Sequence, residues 1–313
     1  MMLREEGYMA TKVGLALGGG GARGFAHIGV LKGLEALGVQ IHSIAGTSMG
    51  AVIGAMYAMN PRADEVEGRM RAFLEGERFA KTKLRILRDL DLHGDRKVRL
   101  FQRLAAFLQR EMMLQAVLIR PSVLSQQRAW EIFLSLLGRA RVEELTIPFC
   151  AVAVDLVKGE RVLLRRGSLP KAVMASASVV GVLPPVRWGD KLLVDGGLLS
   201  MVPVEAVREL GAEVVIAVDV GRELPFVQYI GSGLEGILRA MEVMSHALQE
   251  RELSSADLVL KPRVARFHWT DFERFSEGVP EGEEAVREEA DRILGLKRMG
   301  VIARGLRRLR VIR

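Results

Sequence analysis

Short β-branched apolar runs alternate along most of this chain with longer stretches of helical periodicity. Strands are predicted at Val13–Leu17, Ile41–Ala45, Ile147–Val154, Val162–Arg165, Leu192–Val194, Val214–Val218 and Leu258–Leu260. Helical patterns lie between most of them, at Phe25–Leu37, Ser48–Met59, Leu169–Ala177, Val204–Leu210 and Leu234–Glu250. Alternation of this kind predicts an α/β fold in three layers, a largely parallel sheet with helices on both faces.

The gap between the second and third strands, roughly residues 61–145, reads as a helical insertion. Within it Phe101, Leu104, Ala105, Leu108 and Met112 share one helical face, and Arg96, Arg99, Arg103 and Arg110 share the opposite one. Such a pattern suits a surface helix packed on the core, or one docked on a membrane surface. The C-terminus repeats it, with Met299, Ile302, Leu306 and Leu309 opposite Lys297, Arg304, Arg307 and Arg308. No low-complexity linker or internal repeat divides the chain. It reads as one domain: an N-terminal extension at 1–12, a core at 13–220 carrying the insertion, and a helical C-terminal part with a basic tail at 221–313.

Composition changes this picture in three places. The net charge is +7, and the stretch from Arg78 to Arg110 alone holds ten basic residues against three acids. That concentration favours anionic partners, a phospholipid surface among them, while aromatic residues at 5% and the lack of any recognised motif argue against nucleic acid. The single Cys150 excludes an internal disulfide framework and suits a reducing compartment. The uncharged segment from Val39 to Pro61 has the length of a membrane span. Its Gly-Thr-Ser interior favours a strand, a turn and a buried helix instead. The first residues lack a secretory pattern, Met9 is a candidate start, and the expected location is cytoplasmic, with peripheral membrane contact as an option.

The candidate chemistry sits in three glycine-rich turns. Strand Val13–Leu17 runs into Gly18-Gly19-Gly20-Gly21-Ala22-Arg23-Gly24 and then a helix, an arrangement whose backbone N–H groups form a nest for negative charge. Gly46-Thr47-Ser48-Met49-Gly50 follows the second strand and matches the G-x-S-x-G nucleophile elbow. A serine there could equally be a helix N-cap. A dinucleotide site would need an acidic residue ending the second strand, and residues 36–63 hold none at all; a P-loop would need Gly-Lys-Ser/Thr, also missing. The five histidines and one cysteine lack ligand spacing, so neither metal nor cofactor is expected.

A serine nucleophile needs a base. The order Ser48, Asp195, then His246 or His268 fits an α/β-hydrolase triad superficially, but Ser48 follows only the second strand, and neither histidine lies in a turn context. Asp195, in Asp195-Gly196-Gly197, is either the base or an Asx turn, and spacing alone leaves the two equal. Asp155 and Asp219, which also end strands, read as structural or as supports of the site, and Asp219 could line the cleft.

GLALGGGGARGFAHIGVL, AGTSMGAVIGAMYA and LLVDGGLLSMVPVEAVRELGAEVVIAVDV, in this order, resemble bacterial patatin-like phospholipases. The resemblance covers residues 13–60 and about 147–220. It implies a Ser48–Asp195 dyad without histidine and an oxyanion hole from the amides of Gly19, Gly20 and Gly21. It also implies that Arg23 buttresses that loop, with Gly46, Gly50, Gly196 and Gly197 shaping the two turns. The implied substrate is a lipid or other acyl ester; the oligomeric state is left open. Two positions depart from the family pattern: Val179-Val180-Gly181 replaces Ile/Val-Pro-Gly, and Ser200-Met201 replaces a pair of asparagines.

Overall fold

In the computed structural model residues 11–80 and 122–296 are described. The stripe at residues 96–112 and the C-terminal stripe from Lys297 lie outside them. Five strands form the parallel part of the sheet, in the order β8-β7-β1-β2-β3: β1 Val13–Leu17, β2 Ile41–Thr47, β3 Phe149–Asp155, β7 Val214–Val218 and β8 Leu258–Leu260. Three more, β4 Glu160–Leu164, β5 Val186–Trp188 and β6 Lys191–Asp195, join through antiparallel pairing.

The parallel strands are buried on both faces, which is why they read as unbroken apolar runs. Side chains nevertheless alternate between two cores. Leu15, Leu17, Ile44, Phe149, Ile216 and Val218 point to one. Ala16, Ala45, Cys150, Val215 and Ala217 point to the other, and most of these are small. The larger core takes α1 Ala26–Ala36, α2 Met49–Met59, α3 Ala63–Glu75, α5 Gln126–Leu137, α6 Leu169–Ser176 and α9 Phe275–Glu288; α4 is the short turn Glu77–Ala80. The smaller takes α7 Val204–Glu209 and the end of α8 Gly233–Leu253. The expected three-layer fold is therefore present. No helix among the described residues is long and apolar enough to cross a membrane.

One pairing detail positions everything that follows. Residues 153–155 of β3 pair with β4 and β6 at once, and residues 151–152 pair with β4 and β2 at once. A strand has only two edges, so β4 occupies one, and β2 and β6 follow each other along the other. They run in opposite directions and meet end to end: Thr47 pairs Val152, and Asp195 pairs the next residue, Ala153.

Helix α1, which begins where the glycine run ends, is clamped by α9 through glycines on both helices. A Cβ on Gly29 would lie 1.8 Å from Val279 O, and one on Gly282 would lie 1.9 Å from Ala26 O. Backbones this close leave no room for a methyl group. Gly282→Val is expected to destabilise the protein by about 3 kcal/mol or more, read as a lower urea midpoint. An unchanged midpoint would mean the helices do not cross at this glycine.

Candidate active site

Ser48 is the only non-glycine residue with positive φ among those described, at φ 54° and ψ −121°. Its strain is held by the packing of the turn. A Cβ on Gly46 would meet Gly50 C and O at 2.5 Å, and one on Gly50 would meet Leu17 O at 2.2 Å, so only glycine fits on either side. The Ser48 N–H donates to Ser176 Oγ at 3.1 Å, and that hydroxyl donates in turn to Val152 O at 2.6 Å. The elbow is thereby tied to β3. The serine side chain itself makes no N-cap hydrogen bond to α2.

Asp195 reaches the same level from the opposite direction. Strand β6 runs antiparallel to β3, so its carboxyl end, at Asp195, meets the carboxyl end of β2 at the elbow. Its Oδ1 accepts from Gly197 N–H at 2.8 Å, an Asx turn, while Oδ2 is buried without a close, well-directed partner. Burial raises the carboxyl pKa from 3.8 to about 6; the Gly197 N–H and the Ser48 hydroxyl pull it down by less. The Ser48 contact is thus a loose one, as in many unliganded sites. No histidine among the described residues is among the groups that act on Asp195. His27 touches the glycine loop, but it is buried, its Nε2–H donates to Gly18 O at 2.8 Å, and burial lowers its pKa to about 4. It is a neutral packing group.

The glycine run passes beside the elbow, where a Cβ on Gly19 would sit 3.4 Å from Ser48 Cβ. Its three amides are not equivalent. The Gly19 N–H is already donated to Met201 O at 3.0 Å. Those of Gly20 and Gly21 carry no hydrogen bond among the described residues. Arg23 Nε donates to Gly20 O at 3.3 Å. In a trans peptide the C=O and the next N–H point oppositely, so this bond also aims the Gly21 N–H. Burial, with help from Arg222, lowers the Arg23 pKa to about 10, while Asp219 opposes the shift, so the guanidinium stays charged at neutral pH. Gly21 adopts φ +57°, and its Cα approaches Trp269 so closely that a Cβ would lie 2.2 Å from the tryptophan carbonyl.

The patatin-like phospholipase model matches residues 15–208 of the chain. The chain belongs to that family. Ser48 and Asp195 both fall inside the matched patatin-like segment. An uncharacterized NTE family protein of Mycobacterium bovis is 36% identical over 216 residues, covering 69% of this chain and 51% of the relative. The lysophospholipase NTE1 of Meyerozyma guilliermondii is 29% identical over 67% of this chain and 12% of its own. The chain thus spans about half the length of the curated relatives it matches first. Among solved structures, VipD from Legionella pneumophila is 13% identical with TM-score 0.48, covering 90% of this chain and 67% of that one. Human GIVD cytosolic phospholipase A2 is 14% identical with TM-score 0.40, covering 95% and 60%.

Several residues of this patatin-like site carried no sequence signal. Ser176 lies in a run of alanine and serine that reads only as a helix end. Ser200 and Met201, at a departure from the family pattern, turn out to be linkers: Thr47 Oγ1 donates to Ser200 O at 2.8 Å, and Met201 O holds Gly19. At the other departure, Val179-Val180-Gly181, the Val123 N–H donates to Gly181 O at 3.0 Å. Asp155 Oδ1 accepts from Val157 N–H at 3.1 Å and Leu192 N–H at 3.0 Å. Asp219 receives Gly221 N–H and Gln249 Nε2 on a single oxygen.

Proposed function

We propose that this chain is a serine acyl hydrolase that cleaves lipid esters, of the phospholipase A or lysophospholipase kind, with Ser48 as nucleophile and Asp195 as sole base. The observation that carries the reading is the end-to-end meeting of β2 and β6, which brings a strained serine and a buried carboxylate to one point of β3. Asp195 takes the Ser48 hydroxyl proton as Oγ bonds to the ester carbonyl carbon. The resulting oxyanion is received by the amides of Gly20 and Gly21, each such donor being worth about 3 kcal/mol in the transition state. Asp195 then passes the proton to the departing alcohol as the ester C–O bond breaks. A water, deprotonated by the same carboxylate, attacks the acyl-serine and releases the fatty acid. Of the three glycines in the expected oxyanion hole, Gly19 serves as an anchor, since its N–H is already used.

Fatty-acid release from phospholipid, lysophospholipid and short p-nitrophenyl esters, by wild type and Ser48→Ala side by side, tests this reading. Release by wild type alone supports it, and equal release by both proteins sinks it.

Contact with a lipid surface is supported by α8. Ile237, Met241, Met244 and Leu248 share one exposed face at helical spacing, and Phe226 and Tyr229 project from the segment before it, 91% and 82% exposed. The helix borders the site, for Ser245 Oγ donates to Gly197 O at 3.5 Å. A preference for anionic surfaces would rest on the basic stretch at 78–110. Met241→Glu combined with Met244→Glu is expected to cut hydrolysis of phospholipid vesicles about tenfold while leaving a short soluble ester unaffected. Equal losses on both substrates would point to a folding defect instead of lost surface contact.

A further inference from the structure

Helix α8 has a second face that is polar and turned inward. Ser245, Gln249 and Glu252 follow one another at helical spacing; Ser245 and Glu252 touch the segment after Asp195, and Gln249 touches the loop after β7. Ser245 reaches Gly197 O, Gln249 Nε2 donates to Asp219 Oδ1 at 2.7 Å, and Glu252 takes two hydrogen bonds from the segment after Asp195. One of these comes from the Ser200 hydroxyl to Oε1; the other comes from Val202 N–H to Oε2 at 3.0 Å.

What Glu252 holds is the connection between both halves of the site. The Ser200 carbonyl accepts from Thr47, the residue immediately before the nucleophile, at 2.8 Å. The Met201 carbonyl accepts from Gly19 N–H at 3.0 Å, and the Met201 sulfur lies 3.0 Å from where a Gly19 Cβ would be. The Met201 methyl packs against Gly197, two residues beyond the base. Residues 200–202 therefore span the elbow, the glycine loop and the turn after Asp195, and their outer side is fixed by a single carboxylate. Without it the Ser200 hydroxyl and the Val202 N–H would lose their only acceptors in the described hydrogen-bond set. Arg161 and Glu205 also lie in the electrostatic range of Glu252, so the carboxylate is not isolated.

We infer that Glu252 is a positioning residue for acyl transfer: by clamping Ser200 and Val202 it sets the distance between the glycine loop and the Ser48–Asp195 pair. The inference rests on the dyad reading above. The polar link from this loop to its support is made by a hydroxyl and a main-chain N–H to a carboxylate, not by side-chain amides.

The test uses the full-length protein on a short soluble ester at pH 8, with kcat and KM measured for Glu252→Ala, Glu252→Gln, Ser200→Ala and the Ser200→Ala/Glu252→Ala pair. Each variant is assayed well below its own melting temperature, and competent sites are counted by titration with a serine-reactive phosphonate. Glu252→Ala is expected to lower kcat per competent site about 10–100-fold, with KM within about threefold of wild type. Glu252→Gln, which still accepts from Val202 N–H and can donate to Ser200 Oγ, should recover to within about fivefold of wild type. Ser200→Ala should fall between, and the pair should be no worse than Glu252→Ala alone, since both changes cut one link. A purely structural role would lower the melting temperature and the number of competent sites but leave kcat per site intact, and that result overturns the inference. So does a loss confined to KM, or fully additive effects in the pair. Ser48→Ala runs alongside. If it remains active, the dyad reading falls; if it is dead while Glu252→Ala keeps its kcat, only the role of Glu252 falls.

Discussion

Ser48→Ala is expected to abolish ester hydrolysis, lowering kcat by about 10⁴-fold or more, and Asp195→Asn to lower it by about 10³-fold or more. The serine variant removes the atom that becomes acylated. The asparagine variant keeps the acceptor for Gly197 N–H and the shape of the turn, so its loss reports proton transfer and little else. The pH profile carries the same information. With its pKa near 6, Asp195 is mostly protonated at pH 5 and mostly ionised at pH 7.5. The wild-type rate should therefore climb through about pH 6 and level off above 7, with a single ionisation on the acid side. His246→Ala and His268→Ala should leave the rate within about twofold of wild type. A dead histidine variant would replace the dyad with a triad.

The second large effect runs against the first. Asp195→Asn, expected to be inactive, should stabilise the protein at alkaline pH. The folded-state pKa is raised from 3.8 to about 6, so the fold prefers the neutral carboxyl. Its contribution to stability is complete below about pH 4 and is lost as pH rises through 6. Above pH 7 the buried charge costs up to about 3 kcal/mol relative to the unfolded chain. Asparagine is neutral throughout. In urea unfolding the variant should exceed wild type by about 1–3 kcal/mol at pH 8, and the difference should vanish near pH 4. Equal stability of the two proteins across that range would mean the carboxylate is better solvated than its burial indicates. A gain at pH 8 would identify Asp195 as a residue whose local cost is tolerated for chemistry.

The sheet and its layers were legible because parallel strands covered on both sides must be apolar, and the helices between them must carry a 3.6-residue period. Strand β5 was not, since three residues between Pro184-Pro185 and Gly189 leave no period to detect. Helix α9 was missed as a separate element, because the close approach at Gly278 and Gly282 replaces the large apolar residues a helix normally buries. At the site, glycines announced Ser48 and Asp195, because backbone geometry restricts which residues can flank such turns. The division of labour among Gly19, Gly20 and Gly21 was hidden, since it depends on Met201 O, a carbonyl 182 positions away. Glu252 was hidden for a related reason. One glutamate among the many on a charged helix looks solvated until the loop it faces is known.

Because β2 and β6 abut on one edge of β3, Ser48 and Asp195 share a single rail. Twisting the sheet or sliding β3 carries Ser48 and Asp195 the same way, and the gap between them is measured by one step of backbone, from Val152 to Ala153. Thermal motion that would spread two groups on separate scaffolds is common to both here. A sheet laid out this way can exchange helices and outer loops over evolution without altering the spacing between Ser48 and Asp195.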